Sequence, residues 1–159
     1  MNSEPLLNLA RKLIGEVTFC VAVTQGDGGD ANARIVQPRP LSGDWSVDVL
    51  TNRRCRKVRE VERTGRLTLL YQHDKDRSYV SLIGPARIVD DVDFKRSVWT
   101  EAHYRWNPGG PKDPATVYLR LMTERIELWS AVHGVTPEPL GYSAAILSRE
   151  GEGWRVSAT

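Results

Sequence analysis

Cationic residues crowd a short stretch in the first half of the chain. Four of the five residues from Arg53 to Lys57 are positively charged, and they follow a predicted strand that ends in Leu50-Thr51. The pattern predicts a helix that begins here, and a helix start offers free backbone N–H groups and a partial positive charge. Arg binds phosphate through two parallel hydrogen bonds, and Lys supplies a point charge. Because helix starts usually favour acidic residues, this turn departs from the local rule, and the sequence predicts a phosphate pocket.

The charge of the whole chain limits what this cluster could bind. The net charge is only +2, so the positive charge at 53–57 is local. A general nucleic-acid binder spreads basic residues over a whole face, so we expect no nucleic-acid partner. Two alternatives stay open for the cluster: a solvated basic helix face, and nucleic-acid binding through the basic helix, which would weaken steeply with salt.

Length and composition predict one globular domain. The chain has 159 residues, of which 40% are hydrophobic and 26% charged, and such values are typical of a single domain with its own core. Cys20 and Cys55 are too few for a disulfide framework and predict two free thiols in a reducing compartment. The sequence has neither the pattern of a signal peptide nor about 20 consecutive apolar residues that could span a bilayer. We therefore expect a cytoplasmic protein with no membrane partner.

The histidines and nucleophiles form no recognisable catalytic pattern. His73, His103 and His133 are spread along the chain without ligand spacing, so we expect no metal site. There is no Ser-His-Asp or paired-carboxylate pattern, so the catalytic residues stay unknown. Cys55 lies between two arginines, and this environment could lower its pKa and make it sensitive to oxidation.

Apolar periodicity predicts the elements that must position these side chains. Helical spacing followed by Gly15 predicts an opening helix over 4–15. Gly84-Pro85 predicts a bend or bulge within the fifth strand, and the sixth strand is expected to bend near Thr123-Glu124. Six strands with short connections predict a small antiparallel β-barrel. The strands are predicted at 17–24, 33–36, 45–51, 67–71, 78–89 and 115–129, and two further helices at 53–63 and 92–105.

The helix over 53–63 is expected to bury a narrow apolar stripe. That stripe consists of Cys55, Val58 and Val61. The charged residues of the helix are expected to face solvent. These are Arg56, Arg59, Glu60 and Arg63.

The predicted elements divide the chain into a barrel domain and a tail. The barrel domain is predicted at 1–130, and residues 131–159 are predicted as a C-terminal extension that packs on the barrel or is partly disordered. An insertion from Trp99 to Pro114 is rich in aromatic residues. We expect its aromatic side chains to pack within the insertion.

Taken in this order and spacing, the segments resemble the pyridoxamine 5′-phosphate oxidase-like family of FMN-binding split barrels, and within it the bacterial general stress protein branch. The resemblance covers roughly residues 5–130. It depends on several short motifs together. These are Ala33-Arg34-Ile35-Val36, Leu50-Thr51 before Cys55-Arg56-Lys57, Val58-Arg59-Glu60, Leu67-Thr68-Leu69-Leu70-Tyr71, Tyr79-Val80-Ser81-Leu82-Ile83-Gly84, Ala86-Arg87 and Arg125-Ile126-Glu127-Leu128-Trp129.

The resemblance implies a mainly β protein, a six-stranded antiparallel split β-barrel that binds FMN. It also implies an obligate homodimer with two FMN sites at the subunit interface. Residues that match the family's ring contacts are Arg34, Ile35, Val36 and Gln37, followed by Leu50 and Thr51 beside the ring and the ribityl chain. Arg34 is in addition a candidate for stabilising the reduced flavin.

The resemblance also assigns the phosphate and the cross-dimer contacts. Arg56 and Lys57 would hold the FMN phosphate. Cys55 stands where the family commonly has Ser, and a thiol is a poorer hydrogen-bond donor than a hydroxyl. Tyr79 would reach the flavin from the other subunit, and Trp129 would contact the cofactor across the dimer.

Two departures from the family shape the expected activity. The segment Ser130 to Val135 contains no Arg, whereas true pyridoxamine phosphate oxidases have a basic segment there, so we expect no activity on pyridoxamine phosphate. The aromatic insertion is the second departure, and an alternative is that it roofs the flavin. Some split-barrel relatives bind haem through a His, which leaves His103 or His133 as a haem alternative.

The family resemblance predicts an FMN-dependent oxidoreductase with an unknown substrate, and NADPH or NADH is a candidate electron donor. A flavin carries its own redox chemistry, so the protein need only bind it, orient it and admit a partner. The alternative function is a flavin-binding stress sensor or flavin store without turnover.

Overall fold

The computed structural model of the protein describes residues 2–137 and 141–158. The part of the predicted C-terminal extension at 138–140, and Thr159, lie outside the described residues. Within the described residues, no helix is long and apolar enough to cross a membrane.

Up to residue 122 the helices and strands follow one another in the order that the sequence predicts. The helices are α1 (Glu4–Gly15), α2 (Arg56–Thr64) and α3 (Val92–Val98), and a short 3₁₀ helix follows at Glu101–Arg105. The strands are β1 (Cys20–Gln25), β2 (Ala31–Val36), β3 (Ser46–Asn52), β4 (Arg66–His73), β5 (Ser78–Val89), β6 (Thr116–Met122), β7 (Arg125–Ser130), β8 (Ala145–Glu150) and β9 (Gly153–Ala158).

Strand β5 joins two antiparallel sheets. Its residues 78–83 pair with β7, and its residues 86–89 pair with β6. The larger sheet has the strand order β2-β1-β4-β5-β7-β8-β9, and β3 pairs with β6 in the smaller one. The change of partner falls at Gly84-Pro85, where a Cβ on Gly84 would overlap the carbonyl oxygen of Met122. The predicted bend is therefore the point where β5 passes from one sheet to the other.

The hydrophobic core lies between the curved sheets and is closed by α1. The first helix buries Leu7, Ala10, Leu13 and Ile14 and packs against β4 and β5. Complete burial of a Leu side chain contributes about 1.5–3 kcal/mol, so this face fixes α1 to the sheet. Strands alternate buried and half-buried residues with a period of two, as half-buried strands do.

The mainly antiparallel, split-barrel class is confirmed, but the predicted number of six strands is wrong. The segment 115–129 forms two strands, which are separated at Thr123 and Glu124. There the N–H of Glu124 donates to the carbonyl of Ile83, and the N–H of Thr123 donates to the carbonyl of Trp45. Two more strands, β8 and β9, lie at 145–150 and 153–158 and continue the larger sheet beyond β7.

Two helix boundaries also differ from prediction. The helix expected from Arg53 begins at Arg56, because Asn52 forms a turn whose side-chain and backbone oxygens accept the N–H groups of Arg54 and Cys55. The helix expected over 92–105 ends at Val98. Trp99 has extended backbone angles there, and the 3₁₀ helix starts after it.

Candidate functional site

A cleft of about 880 Å³ lies where the end of β2 meets the β3–β6 pair and the 3₁₀ helix. Four residues predicted from the family resemblance to contact a flavin line it together: Ile35, Val36, Gln37 and Leu50. Its other lining residues are Phe19, Pro38, Arg39, Pro40, Val98, Thr100, Ala102, His103, Arg105, Trp106, Asn107 and Tyr118.

The elements that bring these four residues together are short and rigid. Strand β2 is the end strand of the larger sheet and, within 2–137 and 141–158, pairs with β1 alone, which leaves one of its backbone edges open. Leu50 lies opposite Tyr118 in the β3–β6 register, and both side chains reach the cleft. Between the two sheets, Pro38 bridges to Val49, which ties the wall of the cleft to β3.

The cleft is apolar with a positive charge bias. Arg39 and Arg105 line it, and none of its lining residues is acidic. The hydroxyl of Tyr118 is buried and has no hydrogen-bond partner among the described residues. Burial, together with the nearby charge of Arg39, holds the pKa of His103 below its ordinary value, which favours a neutral imidazole. A planar, electron-rich or anionic ligand suits such a lining.

The start of α2 follows the end of β3 closely in the chain, and its residues Cys55, Arg56 and Lys57 do not line the cleft. Cys55 is the N-cap residue, and its side chain makes no capping hydrogen bond. The hydroxyl of Thr51 is buried close by without a partner among the described residues. Burial raises the pKa of the Cys55 thiol, but the nearby polar Thr51 side chain and the charge of Lys57 outweigh it, so the net pKa is lowered. The helix start therefore offers unsatisfied N–H groups and a polar hydroxyl to an anion.

The cations of the cluster are not equivalent. Arg53 is engaged by Asp90, by Glu62 at 3.7 Å and by the carbonyl of Pro114. Lys57 forms no ion pair with any residue that the structure describes. The side chain of Arg56 is 60% exposed, and it has one long ion pair, of 3.6 Å, with the carboxylate of Glu60. Arg56 and Lys57 are thus the cations best able to hold a phosphate, as the resemblance implies.

Arg34 has a different environment from its predicted neighbours. Its guanidinium donates to Thr24 Oγ1 at 2.6 Å and to the carbonyl of Asn32 at 3.1 Å, and it lies 3.4 Å from Glu60. It does not line the cleft, whereas Ile35 beside it does. The structure therefore directs Arg34 toward α2 and Ile35 toward the opposite side of β2, as the alternation of a strand requires.

Tyr79 and Trp129 lie apart from the cleft on the outer face of the larger sheet. They are direct neighbours in the β5–β7 register. The indole N–H of Trp129 donates to the carbonyl of Gly141 at 2.9 Å. Burial and the charge of Glu127 raise the pKa of Tyr79. In one chain these two side chains form a separate surface.

Two histidine–carboxylate pairs meet at the β4–β5 turn. His73 Nε2 lies 2.6 Å from Glu16, and His133 Nε2 lies 2.8 Å from Asp76. The backbone N–H of Asp76 donates to Nδ1 of His73 at 3.2 Å. The turn thus fastens the end of α1 and the segment after β7 to the sheet.

Sequence reasoning missed several residues in and near the site, among them Glu60, Tyr118 and Arg39. Glu60 was expected to face solvent, and this is wrong: it is buried, 7% exposed. Tyr118 and Arg39 were not singled out, although both line the cleft. The only sequence signal for Glu60 was its position four residues after Arg56, the spacing of an ion pair on a helix.

Comparisons with known proteins agree with this architecture. The sequence model of the family described as "Pyridoxamine 5'-phosphate oxidase like" matches residues 7–151. No curated protein is a match.

Several solved structures share the fold. General Stress Protein 26 from Bacillus anthracis str. Sterne has a TM-score of 0.67 and 21% identity, with 77% of this chain and 92% of that one covered. A pyridoxamine 5′-phosphate oxidase-related, FMN binding protein from Nostoc punctiforme PCC 73102 has a TM-score of 0.73 and 12% identity, with 100% and 97% covered. PhzG from Burkholderia lata 383, in complex with tetrahydrophenazine-1-carboxylic acid, has a TM-score of 0.72 and 18% identity, with 99% and 93% covered.

Proposed function

We propose that this protein, which belongs to the pyridoxamine 5′-phosphate oxidase like family, binds FMN. The ring of the cofactor would lie in the cleft and its phosphate at the start of α2. One observation carries the proposal. Four residues matched to flavin contacts line a single cleft, and at the end of β3, next to Leu50, the hydroxyl of Thr51 is buried with no partner among the described residues. A buried hydroxyl without a partner is costly, and a bound ligand would satisfy it.

The helix start is suited to the phosphate of the cofactor. In the first turn of α2 the N–H of Val58 donates to the carbonyl of Cys55, whereas the N–H groups of Arg56 and Lys57 have no intrahelical acceptor, and an anion there benefits from the helix dipole. Arg56 and Lys57 would add charge-assisted hydrogen bonds. Thr51 would lie beside the chain that joins phosphate and ring. Cys55 would contribute mainly through its backbone, since its thiol is a weak donor.

The cleft is suited to the ring. A bound flavin would supply reversible hydride chemistry, while the protein orients it and controls access. The open edge of β2 presents backbone N–H and C=O groups of 35–37 to the edge of a planar ligand, and Leu50 offers an apolar contact. Arg39 and the 3₁₀ helix form the opposite wall, where a substrate would enter.

A second copy of the chain would complete the site. Ile35 is 73% exposed, and it lies in register with Val21 and Leu70 across β2, β1 and β4. The same register continues through the polar residues Ser81 and Glu127 to Ile146 of β8, so the apolar part of this face is the row formed by Ile35, Val21 and Leu70. Because Ile35 belongs to both this face and the cleft, a partner seated on the face would cover the flavin. Tyr79 and Trp129 on the same face would then contact the cofactor of the partner subunit.

The dimer has its own test. Sedimentation velocity of the wild type is expected to give a dimer, and Ile35→Asp is expected to give a monomer that retains less FMN, because a charge would be buried. Val92→Asp is the control, since Val92 is 37% exposed at the start of α3. A monomeric wild type would contradict the homodimer.

We further propose that the protein is an FMN-dependent oxidoreductase with NADPH or NADH as electron donor. The cleft supports turnover because its cationic wall lies open beside the ring contacts. In a sensor or store the bound flavin would not be reduced by either nucleotide. Stopped-flow reduction of the loaded protein separates the two, since fast bleaching of the flavin bands supports the enzyme.

The first experiment is an absorption spectrum of the purified protein after addition of FMN and gel filtration. Flavin bands at about one cofactor per chain would support the proposed function. A protein that retains no FMN would contradict it and leave only the fold.

A further inference from the structure

Glu60 is the buried acid of the site. It lies one turn inside α2, and both of its carboxylate oxygens accept hydrogen bonds, Oε1 from Thr24 at 2.9 Å and Oε2 from Asn32 at 2.8 Å. These two donors belong to β1 and β2, so Glu60 fastens the helix to the end of the larger sheet.

The same carboxylate stands between two guanidiniums. Oε1 of Glu60 lies 3.4 Å from Arg34 and 3.6 Å from Arg56. The remaining short contacts of Arg34 point inward, to Thr24 and to backbone carbonyls. Arg34 is therefore held under β2, and part of the positive charge of Arg56 is already neutralised.

Glu60 keeps its charge in this setting. Burial alone would raise its pKa, but the hydrogen bonds from Thr24, Asn32 and Arg34 outweigh this and leave the pKa lowered. At neutral pH an ionised, buried carboxylate thus lies 3.6 Å from the guanidinium of Arg56, the first residue of α2. A second anion placed there meets repulsion that solvent screens only weakly.

We infer that Glu60 is a positioning residue that restrains the phosphate site: it holds Arg34 and Arg56 and lowers the affinity of the site for the cofactor phosphate. The inference rests on the proposed function, in which the phosphate binds at the start of α2. If the inference holds, the affinity for FMN is lower than the number of Arg and Lys residues at the start of α2 would suggest. A neutral side chain at position 60 would release the Arg56 guanidinium toward the phosphate, whereas Arg34 would stay held by Thr24 and the backbone carbonyls.

The test compares FMN with riboflavin, which lacks the phosphate. Dissociation constants are measured by quenching of flavin fluorescence for the wild type, Glu60→Gln and Glu62→Gln. We expect Glu60→Gln to bind FMN at least about fivefold more tightly, with riboflavin binding unchanged, because like-charge repulsion acts on the phosphate alone. Glu62→Gln is the matched control: it removes the same charge from the same helix, but its side chain is 52% exposed and contacts Arg53. Its effect should stay within twofold.

Other outcomes are decisive as well. If Glu60→Gln binds both FMN and riboflavin more weakly, Glu60 has a structural role. If the variant binds only FMN more weakly, Glu60 favours phosphate binding instead of opposing it. Either result overturns the inference. Glu60→Asp keeps the charge and should keep the FMN-to-riboflavin ratio of the wild type. If Glu60→Gln does not fold, Glu60→Ala is measured with the same expectation.

A measurement without flavin separates this inference from the proposed function. Inorganic phosphate is added to the protein, and the rise in Tm is compared between the wild type and Glu60→Gln. A larger rise in the variant, together with no FMN binding by any form, would support the inference and contradict the proposed function. If the protein binds FMN and phosphate raises the Tm of the wild type and of Glu60→Gln equally, the proposed function is supported and the inference is contradicted. No response to either ligand would contradict both.

Discussion

Asp48 on β3 and Arg120 on β6 form a two-pronged ion pair directly across the register of the smaller sheet. Arg120 Nε lies 2.7 Å from Oδ1 of Asp48, and Nη2 lies 3.0 Å from Oδ2. The pairing raises the pKa of Arg120, and its guanidinium also stacks 4.8 Å above the ring of Phe94. Two residues along the same register, Leu50 faces Tyr118 on the cleft. The ion pair therefore helps to set the position of the cleft wall.

The ion pair predicts that Arg120→Lys destabilises the protein by about 1–3 kcal/mol. Lys cannot form the two parallel hydrogen bonds or the planar stack, and hydrogen bonds to charged groups contribute in this range. The free energy of unfolding in urea measures the loss. Arg87→Lys, at the exposed neighbouring position of β5, is the control and should stay within about 0.5 kcal/mol. Equal losses in both variants would refute a special role of the pair.

The point where β5 changes sheets predicts a sharp glycine requirement. Gly84→Ala would place a methyl group against the carbonyl oxygen of Met122, and such overpacking costs about 1–3 kcal/mol. Gly15→Ala is the matched control, because open space surrounds that position at the end of α1 and Ala favours a helix by up to about 1 kcal/mol. Thermal unfolding should therefore show a lower Tm for Gly84→Ala and an equal or higher Tm for Gly15→Ala. If Gly84→Ala left the Tm unchanged, β5 and the chain at Met122 would be able to move apart without loss of stability.

The sequence predicted elements where one physical signal was sufficient. The opening helix and the fifth strand have their predicted bounds, because apolar periodicity and flanking breakers are local. Strands β8 and β9 were missed because each has few apolar residues and because β8, with which β9 pairs, joins the sheet only through β7 across a long connection. Glu60 was misplaced for a similar reason. Its burial depends on Thr24 and Asn32, which only the folded chain brings to it.

The aromatic stack at the edge of the molecule predicts that Trp154 anchors the C-terminal hairpin. Trp154 meets Trp45 edge to face at 5.8 Å, and Arg149 covers it at 4.4 Å. Because a packed aromatic contributes through both area and geometry, Trp154→Ala should cost about 2–3 kcal/mol in the free energy of unfolding. Trp106→Ala is the control, since Trp106 is 78% exposed. Equal stabilities would show that the hairpin is held by strand pairing alone.

The turn beside His133 predicts a stability that depends on pH. The hydrogen bond from His133 lowers the pKa of Asp76, against the effect of burial, and the charges of His73, His133 and Lys12 lower it further. A depressed pKa contributes stability above the unfolded value of about 3.9, and this is lost as pH falls through the folded value. Asp76→Asn should therefore destabilise the protein at pH 5–7, and the difference should shrink below about pH 4. In a His133→Asn background the difference at pH 5–7 should be smaller; an unchanged difference would exclude the pair as its cause.

The phosphate site makes the last prediction. Arg56→Ala combined with Lys57→Ala should weaken FMN binding at least tenfold, because two charge-assisted contacts together contribute more than about 1.4 kcal/mol. Riboflavin binding should change little, since both side chains act on the phosphate. Arg59→Ala combined with Arg63→Ala removes the same charge from the same helix. These two arginines are held by the carbonyl of Arg54 and by Asp27. If the two double variants lose FMN affinity equally, the effect is one of overall charge, and the start of α2 is not the phosphate pocket.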